Sequence, residues 1–293
     1  PYVKYELTLA LVISVAAYSA YEFANLEQLA LPNLLPGVLG TALAIFLGFR
    51  SSAAYNRWGE AAQLWAAIAN YSRIFARLII TFVESHNHTS QYDAEIAQAF
   101  HKEMLYRHIA WVTLRLQLRS QTNWDSIQSL LSDEDWMIIR EKQNKPQALM
   151  LIQGHRIYDG MRDSTLQGFD SFQLEGCLAQ LSAYQAQCER IKTIPIPRQY
   201  TFFTRLFVWI FIMLIPFSFI TIFANAGMSW FIIPVTLLLA FVFGIVERTG
   251  AVNEEPFENL ITDIPMSAFC TEIERDLREM LDETEIPPKL QAQ

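Results

Sequence analysis

Between Arg205 and Glu247 the chain carries no Asp, Glu, Lys or Arg. That gap of about forty residues is enough for two bilayer passes, since a spanning helix needs roughly 20 apolar residues. Few features restrict a fold so strongly. Backbone in hydrocarbon must satisfy its own hydrogen bonds, which leaves helices or closed barrels. Asn225-Ala226-Gly227 predicts the turn dividing the stretch, with Trp230 at the interface. The spans are predicted over Leu206–Phe223 and Trp230–Val246.

Two further spans lie near the start. Leu7–Tyr21 is an apolar run of about fifteen residues, slightly short of a full crossing. Lys4, Tyr5, Tyr18 and Tyr21 extend it to the interfaces as snorkelling and aromatic anchors. Leu34–Phe49 is the next, ended abruptly by Arg50, with a helical pattern continuing to Glu84. Basic residues test this topology. Lys4, Arg50, Arg57, Lys192, Arg198, Arg205 and Arg248 fall on one side, and the two opposite loops contain no Lys or Arg. By the positive-inside rule, both termini are cytoplasmic. Composition agrees: 52% hydrophobic residues are too many for an ordinary soluble domain, while 18% charged residues require a sizeable polar part. The sequence begins at Pro1 without Met, and no signal peptide is read in it.

The polar part is the stretch from Ser85 to Lys192, which contains nothing able to span a bilayer. Leu105, Ile109, Trp111, Val112 and Leu116 alternate with Arg107, Arg115 and Arg119 at helical spacing, predicting an amphipathic helix over Phe100–Arg119. Thr122 with Asp125, and Ser132 with Asp135, read as caps of short helices. A long helical region follows Pro146, over Gln147–Thr193, until Ile194-Pro195-Ile196-Pro197 halts it. No alternating strand pattern is present, so this domain is predicted all-helical. His86, Asn87, His88, Thr89 and Ser90 read as a polar turn.

Charge and chemistry exclude several functions. A net charge of −8 gives no support for nucleic-acid binding. Cys177, Cys188 and Cys270 are odd in number and lack CxxC spacing, which fits reduced thiols. His86-x-His88, His101 and His108 lack a nearby carboxylate or Cys to complete a metal set. Phosphate loops and nucleophile elbows are absent. No metal, cofactor or catalytic residue is expected, and the chain does not read as an enzyme. The acidic residues Glu254, Glu255, Glu258, Asp263, Glu272, Glu274 and Asp276 suit a solvated face, with a divalent-cation site as the alternative.

Leu34–Tyr71 organises the rest. Gly37, Gly40, Thr41, Ala42, Ala44 and Gly48 are small where a core helix would carry bulk, which lets membrane helices approach closely. Thr41, Ile45 and Phe49 recur at i, i+4 and i+8 and share one face. That face suits either packing against neighbours or lining a pore.

The run Phe49-Arg50-Ser51-Ser52-Ala53-Ala54-Tyr55-Asn56-Arg57-Trp58, with Leu64-Trp65 and Asn70-Tyr71-Ser72-Arg73, resembles the signature after the second span of bestrophins, especially bacterial ones. Ile196-Pro197-x-x-Tyr200-Thr201 resembles the segment leading into their third span. Glu255-Pro256-Phe257 with Asp263-Ile264-Pro265-Met266 and Ile273-Glu274 is similar to the block after their fourth. The resemblance implies an all-α integral membrane protein with four transmembrane helices per subunit and a helical cytoplasmic domain, assembled as a homopentamer. It implies an ion channel of a bacterial inner membrane, with permeant monovalent ions and the lipid bilayer as partners. Ile45 and Phe49 match positions of a hydrophobic neck. Thr41 holds the outermost matching position, where a large apolar residue is usual. Ile196 matches a cytoplasmic aperture, with Ile194 in reserve. Leu260, Ile261 and Thr262 replace most of the acidic run of the animal calcium clasp, so calcium activation is not carried over; only Asp263 stands at a clasp-like position.

The segments are then 1–84 (first two spans and the extension of the second), 85–200 (cytoplasmic domain), 201–247 (last two spans) and 248–293 (acidic C-terminal segment). The acidic balance, in fivefold copy, would raise local cation concentration if the acids line the vestibule, which favours monovalent cations such as sodium. The alternatives are an anion (chloride) channel of the same fold, a non-conducting membrane-anchored interaction protein, and a metal-dependent enzyme using the histidines.

Overall fold

The computed structural model describes residues 3–24, 28, 30–32, 34–86, 88, 93–260 and 262–290. Asn87, Thr89 and Ser90 of the predicted turn, and Ile261, lie outside the described residues. The described residues form helices and no strand. The chain divides into two units, residues 1–58 with 195–255, and residues 59–194 with 256–293.

The first unit contains α1 (Lys4–Ala24), the beginning of α2 (Leu34–Ser85), α8 (Arg198–Asn225) and α9 (Ile232–Val252). Among the described residues, four helices are long and apolar enough to cross a membrane, over Lys4–Ala24, Leu34–Ser85, Gln199–Asn225 and Ser229–Val252. Each contains a predicted span and extends beyond it. Their shared core is built by Ala10, Leu43, Leu47, Phe211, Ile215 and Ala240. Close approach depends on glycine at particular places. A Cβ on Gly40 would lie 3.0 Å from the Phe211 ring, and one on Gly244 3.0 Å from Val3. Among the described residues nothing lies within 4 Å of a Cβ placed on Gly37 or Gly48, so their smallness serves no contact there. The predicted turn is present: Gly227 adopts φ +70°, and the Met228 N–H donates to the Phe223 carbonyl at 2.8 Å.

The second unit contains the remainder of α2 with α3 (Ala94–Val112), α4 (Leu114–Leu118), α5 (Asp133–Arg140), α6 (Lys145–Arg162), α7 (Asp170–Thr193) and α10 (Met266–Met280). Trp65, Phe75, Phe100, Met104 and Trp111 are its large, fully buried side chains. Sequence patterning overran two boundaries here and fell short of a third. The single helix expected over Phe100–Arg119 breaks at Thr113, whose hydroxyl bonds the Ala110 carbonyl at 2.6 Å and competes with the backbone ladder. The region expected over Gln147–Thr193 is two helices, parted where Ser164 and Gly168 take φ of 60° and 55°. Pro146 sits inside the first turn of α6, where its missing N–H costs nothing, and Asn144 is the cap. Of the two predicted caps, Ser132 accepts from the Asp135 N–H at 3.2 Å. Thr122 caps nothing: the 3-10 turn Trp124–Leu130 starts after Asn123 without a side-chain bond.

Candidate functional site

The first part of α2 presents two unlike stripes. Leu43, Leu47, Arg50 and Ala54 are buried against the unit's own helices. Thr41, Ile45 and Phe49 lie on an exposed side, with Ile45 57% and Phe49 73% accessible. The Thr41 hydroxyl donates to the Gly37 carbonyl at 2.9 Å, so it is satisfied within its own helix. The predicted trio therefore shares one mainly apolar face that no described residue covers.

Arg50, next after Phe49, goes the opposite way and is only 5% accessible. Its Nε donates to Glu254 Oε1 at 2.8 Å, and its Nη1 to Glu247 Oε1 at 3.1 Å. Thr201 Oγ1 lies 3.5 Å from the second Glu254 oxygen. One guanidinium thus ties α2 to the end of α9, to the residues after it and to the start of α8. Sequence reading counted Arg50 for topology and Glu254 as part of a solvated run. The available signal was Glu247, the acid that ends the uncharged stretch on α9, just before Arg248.

Ile194 caps the end of α7 and belongs to the second unit, where its backbone N–H donates to the Arg190 carbonyl at 2.9 Å. Ile196 belongs to the first, half-buried in the irregular residues before Pro197, the cap residue of α8.

Most of the acidic C-terminal residues are engaged by bases. Glu258 pairs with Lys192. Glu272 and Asp276 hold Arg73 at 3.1 and 2.5 Å, and Glu274 holds Arg278 at 2.9 Å. Asp263 accepts the Leu260 N–H at 3.0 Å and closes its own loop. Burial pushes its carboxyl above the usual range, while backbone donors pull it back. Among the described residues no cluster of three or more His, Cys, Asp or Glu could hold a metal.

Two of the histidines have partners within the fold. His86 Nε2 lies 2.7 Å from Asp170, a partner far off in sequence. His108 is wholly buried between Ser72 at 2.9 Å and Gln153 at 3.1 Å, and burial pushes its pKa down to about 4. A neutral ring with both nitrogens engaged is a core group rather than a ligand. All three cysteines are free, and burial raises Cys177 to about 11 and Cys188 and Cys270 to about 12.

Known proteins share this architecture. The profile of the family described as bacterial/fungal bestrophin protein matches residues 2–279. The Escherichia coli K12 protein named voltage-dependent anion channel-forming protein YneE is 30% identical over 253 residues, covering 86% of this chain and 78% of that one. A similarly named protein of Ralstonia nicotianae, RSc3414, is 27% identical over 84% of this chain and 76% of its own. The crystal structure of a bacterial bestrophin homologue from Klebsiella pneumoniae, phased on zinc, aligns with a TM-score of 0.84 at 26% identity, over 96% of this chain and 99% of that one.

Proposed function

Because the chain belongs to the bacterial and fungal bestrophin family, we propose that it forms a homopentameric channel for monovalent ions, the α2 helices surrounding the path. One observation carries this reading: Ile45 and Phe49 stay exposed on a helix whose opposite stripe is packed. Rings of such side chains gate by dewetting, since a narrow apolar opening holds no stable water. Thr41 contributes little to that barrier, its hydroxyl being turned to its own backbone. Ile196, on the chain entering α8, forms a second, cytoplasmic constriction in this reading, with Ile194 the reserve position. Gly37 and Gly48, with open space over them, give room for neighbouring subunits.

Cations are the favoured permeant ions, in a bacterial inner membrane with both termini cytoplasmic. The net charge of −8, repeated in each copy, raises cation concentration near the mouth. The base next to the neck, Arg50, is outnumbered by two acids. A second reading, anion conduction, is favoured by the names of the Escherichia coli and Ralstonia relatives.

Reconstitution in liposomes tests all of this. Ion flux is expected, and the reversal potential in a salt gradient gives the sign of the carrier. Absence of flux from assembled protein would leave an interaction protein instead. Flux should survive His86→Ala with His88→Ala, which a metal-dependent enzyme would not tolerate. Native mass spectrometry in detergent should give five copies; monomer or dimer as sole species would end the pore reading.

A further inference from the structure

The apolar stripe of α2 ends at Phe49, and the next side chain is a permanent cation. A long flexible base at that point has two destinations, the ion path or the protein. Five guanidiniums around the path would form a cationic ring, which selects for anions. The structure sends Arg50 inward instead. Its Nε and Nη1 reach two different carboxylates, Glu254 and Glu247, so both edges of the planar fork are held. The contact requires α9 to lie close to α2. Gly250 permits this, since a Cβ there would sit 3.3 Å from Ser51 Oγ. Thr201 braces Glu254 from α8. Among the described residues Nη2 is buried without a hydrogen-bond partner, and the bonds to the two carboxylates hold the group.

We infer that Glu247 and Glu254 are specificity-determining residues: they withhold the Arg50 charge from the conduction path and thereby suppress anion permeation. The inference rests on the pore reading above, with Phe49 facing the path. Two acids against one base also leave the cluster acidic on balance, so the residue that could attract anions presents no positive field. Selectivity then depends on where an arginine is tethered, as well as on which side chains line the path.

The test is reversal potential in a potassium chloride gradient, on reconstituted full-length protein. The Glu247→Gln, Glu254→Gln double variant should raise the anion-to-cation permeability ratio about fivefold, because an untethered charge beside a narrow path acts at close range. Adding Arg50→Met to that background should return the ratio to its starting value. A purely structural cluster would change current size or thermal stability and leave the ratio alone. An unchanged ratio in a conducting double variant overturns the inference, and so does a shift that persists without Arg50. Should the double variant fail to assemble, Glu254→Gln alone keeps Glu247 in place and should move the ratio in the same direction by a smaller factor; no movement there is equally fatal. Lack of conduction by the wild-type protein would instead refute the pore reading itself.

Discussion

The two parts of α2 carry the same kinds of side chain and use them differently. In residues 34–58, Leu34, Leu35, Val38, Ile45 and Phe49 are exposed. In residues 59–85, Trp65, Ile68, Phe75, Ile79 and Val83 are buried inside the chain's own second unit. Apolar content in the first part is therefore left uncovered by the described residues, and in the second it forms a private core. The polar groups differ as well. Arg50 needs two carboxylates to be buried, whereas Ser72 is accommodated by a neutral network with His108 and Gln153. Burying a charge without partners is far costlier than burying a satisfied neutral group.

The contrast is broken most directly by truncating one aromatic in each part. Phe75→Ala empties a site that is fully buried against His108. It should destabilise by about 3–5 kcal/mol, seen as a large fall in thermal midpoint in detergent. A loss under about 1 kcal/mol would mean that this part is not a packed core.

Acid probes the same network. Below pH 6.5 the unfolded chain protonates His108, while the folded ring resists until about pH 4. Stability should thus be intact above 6.5, fall as pH drops through that window and level off below it. The total is about 3 kcal/mol, from two and a half decades at roughly 1.4 kcal/mol each. Thermal midpoints between pH 7 and pH 4 should show that slope, flattened in His108→Gln. Arg73→Gln removes a half-exposed pair with Glu272 and Asp276, for which under about 1 kcal/mol is expected, shrinking further at high salt.

The smallest stability effect belongs to Phe49→Ala. With its ring exposed, the change should stay within about 0.5 kcal/mol, yet currents should rise because a wider apolar opening wets more readily. Dissociation of the oligomer without a gain in current would assign Phe49 to packing between subunits.

What the sequence made legible follows from how far each signal acts. The crossings were readable because a bilayer imposes one length and one polarity on local sequence. The turn at Gly227 and the Ser132 cap were readable for the same reason of locality. The break between α6 and α7 is marked only locally, by Asp163-Ser164-Thr165 and Gly168, and the helical pattern on either side outweighs it. The destinations of charges were hidden altogether. Arg50 meets Glu254 and Arg73 meets Asp276 across more than two hundred residues, a pairing that no periodicity encodes. The acidic run looked solvated because most of its basic partners lie far off in sequence, Arg50 and Arg73 on α2 and Lys192 on α7. His86 had the same history, its carboxylate Asp170 being supplied by a distant helix.

The length of helix α2 has a consequence. Its 52 residues form one uninterrupted helix, about 78 Å long at 1.5 Å per residue, against roughly 40–45 Å for a whole bilayer with headgroups. Held upright, a bilayer of that thickness takes up only about 30 of those residues. The remainder stands in water or against protein, so one continuous backbone answers to two solvents.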